Sequence, residues 1–142
     1  MTIWILDTDH VSHLLQGNKV VTYKVDKVFP NLAITVVTVQ EIFNGWIVKI
    51  NGASESTDLV RLYTKLWTNL EYFNEVRILN FDAEAYNCYE RLLKENKQLN
   101  KKRLQKDLRI AAIALSVNAV MVTRNKRDFS LIPGLVIEDW TE

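Results

Sequence analysis

Four carboxylic acids stand where regular structure is expected to begin or end: Asp7, Glu41, Asp107 and Asp128. Asp7 stops the apolar run Ile3-Trp4-Ile5-Leu6, which reads as a short buried strand. Glu41 completes Thr38-x-x-Glu41 in the first turn of a helix, and Asp107 lies in the first turn of another. Asp128 follows a strand that runs into Thr123. Singly, each acid has a plain structural use. Thr38-x-x-Glu41 is a capping box, Asp7 or Asp9 can cap the first helix, and Asp128 can be a turn acid. Asp107 can complement a helix dipole, an effect of about 0.3–1 kcal/mol. Gathered at one sheet edge, however, four carboxylates would repel one another and need a counter-cation. Hard oxygen ligands of this kind suit Mg²⁺ or Mn²⁺.

The elements that would gather them alternate between strand and helix. The pattern predicts strands at Thr2 to Leu6, Ala33 to Val37, Val76 to Leu79, Val120 to Val122 and Leu135 to Ile137. Short helices follow Asp7 and Asn18, the first closed by Gly17-Asn18 and the second ending before Pro30. Longer ones are expected from Thr38 to about Ile50, from Asp58 to Phe73, from Asp82 to about Asn96 and from Lys106 to Leu115. In the last of these, Ile110, Ala111, Ile113, Ala114 and Leu115 are apolar over most of the circumference, so that helix belongs inside the domain. Such alternation implies a parallel sheet of four to five strands with helices on both faces, an α/β/α sandwich. Ligands of such sheets bind beyond the carboxyl ends of the strands, where Asp7, Thr123, Asn125 and Asp128 fall.

Composition narrows the function further. At 142 residues, 48% hydrophobic and 25% charged, the chain is expected to form one globular domain over residues 1–142. Cys88 is the only cysteine, which excludes an internal disulfide framework and fits a reducing, cytoplasmic setting. Its helical spacing with Ala85, Tyr89 and Leu92 predicts a buried packing thiol. No signal peptide and no run of about 20 apolar residues appears, so no membrane role is expected. The scattered glycines form no GxGxxG, which argues against a dinucleotide cofactor. His10 and His13 read as surface residues of the first helix and not as zinc ligands. A net charge of +1 names no partner, but the basic residues cluster, from Arg91 to Arg109 and again at Arg124, Lys126 and Arg127. On charge alone that cluster is a solvated face.

Four ordered motifs carry a resemblance. Ile5-Leu6-Asp7-Thr8-Asp9, Val37-Thr38-Val39-Gln40-Glu41-Ile42, Asp107-Leu108-Arg109-Ile110-Ala111-Ala112-Ile113-Ala114 and Val122-Thr123-Arg124-Asn125-Lys126-Arg127-Asp128-Phe129 resemble the PIN-domain family. The ending Ile132-Pro133-Gly134-Leu135-Val136-Ile137-Glu138-Asp139-Trp140 is similar to its VapC-type branch, the toxin ribonucleases of toxin–antitoxin pairs. The resemblance implies a PIN-like fold, metal-dependent endoribonuclease activity, a homodimer and inhibition by a cognate antitoxin. It places Asp7, Glu41 and Asp107 on the family's acidic positions. Where many members carry a further Asp, this chain has Asn125, and Asp128 is taken as the fourth acid.

On this basis Asp7, Glu41, Asp107 and Asp128 are the expected catalytic metal ligands, with Thr8, Thr123 and Asn125 orienting ligands or substrate. Lys101, Lys102, Arg103, Lys106, Arg109, Arg124 and Arg127 are expected to hold the RNA backbone. The alternative is a catalytically weak module of the same fold that only binds RNA or a partner protein; loss of the acids would have signalled it. An aspartate-nucleophile phosphatase built on Asp7-x-Asp9 is set aside, because only 19 residues follow Thr123 for its remaining motifs. Phe43, Trp46, Ile47, Leu62, Leu66, Trp67 and Leu70 give the two long central helices more apolar surface than one sheet edge needs. Part of it is expected to form an interface with a second copy or with an antitoxin helix.

Overall fold

In a computed structural model, which describes residues 1–54 and 56–141, the chain alternates strands and helices as expected. The order is β1 (Trp4–Leu6), α1 (Thr8–Leu15), α2 (Lys19–Val28), β2 (Leu32–Thr35), α3 (Val36–Asn51), α4 (Ser56–Glu75), β3 (Arg77–Leu79) and α5 (Ala83–Glu95). Two single 3₁₀ turns (Lys97–Leu99 and Lys102–Leu104) lead to α6 (Gln105–Ser116), β4 (Val120–Val122), α7 (Lys126–Phe129) and β5 (Val136–Glu138). The strands form one parallel five-stranded sheet in the order β3-β2-β1-β4-β5. The chain builds outward from β1 to one side, then crosses back to build on the other. The crevice therefore falls at the carboxyl ends of β1 and β4, where Asp7 and Thr123 emerge.

Strand alternation divides the core into two layers. Ile5, Ala33 and Met121 face α5 and α6, whereas Leu6, Ile34 and Val122 face α1, α2, α3 and Trp140. Leu108, Ile110 and Ile113 of α6 are fully buried, each contributing about 1.5–3 kcal/mol on removal from water. Asp107 is thus carried into the crevice by a helix that cannot rotate without exposing that side. Asn118, at φ 54°, ends α6 in the left-handed conformation that asparagine tolerates, and the Ala119 N–H bonds the Ala114 carbonyl at 2.9 Å. Gly17 (φ 82°) and the Asn18 cap separate α1 from α2.

Three expectations are corrected. The second strand ends at Thr35, and the helix after it begins two residues before Thr38. Thr35 is the true cap, its hydroxyl accepting the Thr38 N–H at 3.2 Å, so Thr38 and Glu41 do not form a capping box and Glu41 lies in the second turn. The β-branched pair Val36-Val37 imitated strand although Thr35 had already started the helix. His10 is not a surface residue: it is completely buried. Cys88 is only partly buried and lies 3.8 Å from the Arg91 guanidinium.

Candidate active site

Asp7 caps α1, its Oδ1 accepting the His10 N–H at 3.0 Å. Its Oδ2 accepts the Thr123 hydroxyl at 2.5 Å, and its own N–H donates to the Val122 carbonyl at 2.9 Å. The acid is therefore bolted to the ends of both central strands. Asn125 continues the chain of bonds by donating its N–H to Thr123 Oγ1 at 2.9 Å. Across the crevice, the Thr8 hydroxyl donates to Glu41 Oε1 at 2.7 Å. Because that proton is committed, Thr38, whose hydroxyl lies 3.2 Å away, donates to Thr8.

Asp107 and Asp128 meet through Asn125. The Asn125 Nδ2 donates to Asp107 Oδ2 at 3.3 Å and to Asp128 Oδ2 at 3.1 Å. Asn125 also caps α7, placing Asp128 one turn beyond it and toward the same crevice. Burial, and then the negative charges of Glu41, Asp128, Asp7 and Asp9, push the Asp107 carboxyl up to about 6. Asp128 differs. Both its oxygens accept from Arg103 Nη1, at 2.9 and 3.0 Å, and this guanidinium holds its carboxyl below the usual range. The charge that Asp128 was expected to add to the crevice is thus already answered within the chain.

The sequence-selected acids share one crevice, but among the described residues no three acidic, histidine or cysteine side chains stand close enough to form a ready-made cation cage. Of the selected cations, Arg103 is committed to Asp128 and Arg124 Nη1 lies 3.1 Å from His13 Nε2. The Arg109 guanidinium sits over the Tyr89 ring, 5.9 Å from its centroid. Lys101, Lys102, Lys106 and Arg127 are exposed.

A cleft of about 590 Å³ adjoins the crevice, lined by Thr8, Glu41, Trp46, Lys49, Lys65 and Asn69 among others. Asn69 Oδ1 holds the Trp46 indole N–H at 2.7 Å, and the Lys49 ammonium lies over the indole at 4.9 Å. Sequence reasoning did not single out Lys49 or Lys65. The signal available was helical spacing, since Glu41, Gly45 and Lys49 repeat every fourth residue along one face of α3. Beside the cleft, α3 and α4 leave Val48, Val60, Tyr63 and Trp67 well exposed, Trp67 at 62%. Trp67 is not a core residue.

No family model matches the chain. Over 143 residues it is 30% identical to ribonuclease VapC1 of Haemophilus influenzae (strain R2866), with 99% of each chain covered. The structure of VapBC2 from Rickettsia felis bound to a DNA fragment from its promoter is similar in fold, with a TM-score of 0.78 at 24% identity, covering 98% of this chain and 99% of that one. VapBC-1 from nontypeable Haemophilus influenzae gives a TM-score of 0.74 at 26% identity, covering 99% and 100%.

Proposed function

This chain belongs to the VapC ribonuclease family, and from that premise we propose that it is the toxin of a toxin–antitoxin pair, an endoribonuclease that hydrolyses RNA with Mg²⁺ or Mn²⁺ held by Asp7, Glu41 and Asp107. The observation that carries the reading is the crowding of negative charge around Asp107, whose carboxyl is pushed up by burial and then by Glu41, Asp128 and Asp7. Asp7, Glu41 and Asp107 accept hydrogen bonds from His10, Thr123, Thr8 and Asn125, while Arg103 is spent on Asp128. An all-oxygen donor set with surplus negative charge fits a hard divalent cation. Such a cation, when bound, lowers the pKa of a water and stabilises charge on the phosphate.

The chain's own groups do the rest. Thr123, Thr8 and Asn125 hold the carboxylates in fixed rotamers, so little reorganisation is needed at the moment of reaction. Lys49 and Lys65 in the cleft, with Lys101, Lys102, Lys106 and Arg127 outside it, attract the RNA backbone. Purified protein should cleave a total RNA pool with Mg²⁺ or Mn²⁺ and lose that activity in EDTA. Undiminished cleavage in EDTA would refute the metal-dependent reading.

Asn125 outranks Asp128 in this arrangement. It ties Asp107, Thr123 and Asp128 together, whereas Asp128 mainly anchors Arg103. Asn125→Ala should therefore lower kcat by about 10–100-fold, and Asp128→Ala by clearly less. The sequence pointed the other way, to Asp128 as a ligand and Asn125 as an orienting residue. A larger loss for Asp128→Ala would restore Asp128 as a direct ligand.

The exposed face of α3 and α4 is the proposed seat of an amphipathic antitoxin helix. Trp67→Ala should weaken antitoxin binding by about 30-fold or more, as expected for a buried aromatic anchor, without changing RNA cleavage by the free toxin. Sedimentation of the free variant checks the competing assignment. If Trp67→Ala dissociates a homodimer and spares antitoxin binding, this face joins two copies of the toxin instead.

A further inference from the structure

His10 is completely buried, yet the hydrolysis outlined above gives it no task. Its Nε2 accepts the backbone N–H of Trp140 at 3.2 Å. An amide N–H offers only a proton, so Nε2 must present its lone pair there. The ring proton is accordingly on Nδ1, which faces Asp7 Oδ1 at 3.4 Å. Asp139 Oδ1 lies 3.6 Å from Nε2 but is occupied by the Thr141 hydroxyl and N–H at 2.6 and 2.9 Å. Counting the His10 amide, the His10 ring and the Thr123 hydroxyl, three donors converge on the Asp7 carboxylate. A carboxylate has about four lone-pair directions, so roughly one remains.

The segment that sets this tautomer is itself firmly seated. Trp140 is buried against the layer formed by Leu6, Val11, Val21 and Val122. Its indole N–H donates to Glu138 Oε1 at 3.0 Å, and the Glu138 carbonyl accepts the Thr123 N–H at 2.8 Å. The same short stretch thus reaches Asp7 from both sides, through Thr123 and through His10.

We propose that His10 is a positioning residue: fixed as the Nδ1–H tautomer by the Trp140 amide, it turns Asp7 so that one carboxylate direction stays open for the cation, making the site depend on the docked C-terminal segment. This inference rests on Asp7 being a cation ligand, as proposed above. It adds a residue outside the acidic set and assigns 138–141 a part in the site.

The test uses the full-length chain labelled with ¹⁵N, together with His10→Asn, which keeps a donor near the Nδ1 position, and His10→Phe, which removes it. Long-range ¹H–¹⁵N spectra of the wild type should show Nδ1 protonated and Nε2 bare. Mn²⁺ titrations should show affinity weakened by about 10–100-fold in His10→Phe, with most of the loss recovered in His10→Asn. Wild type carrying its proton on Nε2, or on both nitrogens, would overturn the inference. So would His10→Phe and His10→Asn that bind Mn²⁺ equally well. If His10→Phe does not fold, the wild-type tautomer and the His10→Asn affinity decide alone: the wrong tautomer, or an Asn variant weakened by the full 10–100-fold, refutes it. A wild type that binds no Mn²⁺ would instead sink the metal reading itself, a different failure.

Discussion

Asp107→Asn is expected to abolish RNA cleavage and, in the same protein, to raise the stability of the metal-free fold. The loss follows from removing the charge of a proposed cation ligand, whose contribution to the reaction would be several kcal/mol, so kcat should fall by about 10³-fold or more. The gain follows from the same charge. Burial and the neighbouring acids raise the Asp107 carboxyl from 3.8 to about 6, so the fold disfavours the ionised form. That penalty is absent below the unfolded value, grows between the two, and is complete above about 6. The difference bounds it at about 3 kcal/mol, and solvent screening of a partly exposed group reduces it to roughly 1 kcal/mol. Thermal melts in EDTA should place Asp107→Asn a few degrees above wild type at pH 7.5, with the gap closing toward pH 4.5. An Asn variant no more stable at pH 7.5, or a gap that widens in acid, would remove the repulsion on which the site was argued.

Asp7 should behave in the opposite way. It caps α1 and receives the Thr123 hydroxyl and the His10 ring, so it is a structural acid as well as a proposed ligand. Asp7→Ala loses a cap worth about 1 kcal/mol and strands two buried donors at about 1–3 kcal/mol each. A net cost of about 3 kcal/mol is expected, enough to lower Tm by roughly 10 °C in a domain of this size. Asp7→Asn keeps an oxygen for the cap and should cost under about 1 kcal/mol. Both variants should be inactive. An acid that served only as a cation ligand could be neutralised without harm to the fold. Calorimetry showing Asp7→Ala as stable as Asp7→Asn would favour that simpler view.

Much of this was legible in the residues. The apolar girth of α6 located the centre of the domain, and the polar residues closing β1 and β4 located the crevice. The Asn125 cap put Asp128 where the turn chemistry suggested. What escaped the sequence was decided by partners distant along the chain. Nothing local distinguishes Asp128 from a ligand until Arg103, 25 residues away, is seen to hold it. His10 stands three residues past the Asp7 cap in a short helix, and the partner that holds its ring, the Trp140 N–H, comes from 130 residues away. The start of α3 was misplaced because Val36-Val37 carries strand propensity, and a cap at Thr35 overrode it. Lys49 and Lys65 join one cleft only because α3 packs against α4.

Whether these carboxylates hold a cation that activates water is decided by the chemistry of the cut ends. RNA should be cleaved in H₂¹⁸O with Mg²⁺ and the product termini analysed by mass spectrometry. A metal-activated water predicts a phosphate monoester terminus carrying one ¹⁸O, formed by wild type and absent with Asp107→Asn or EDTA. A 2′,3′-cyclic phosphate without ¹⁸O, formed equally well in EDTA, would mean that the ribose hydroxyl attacks and that the acidic crevice does not drive the reaction.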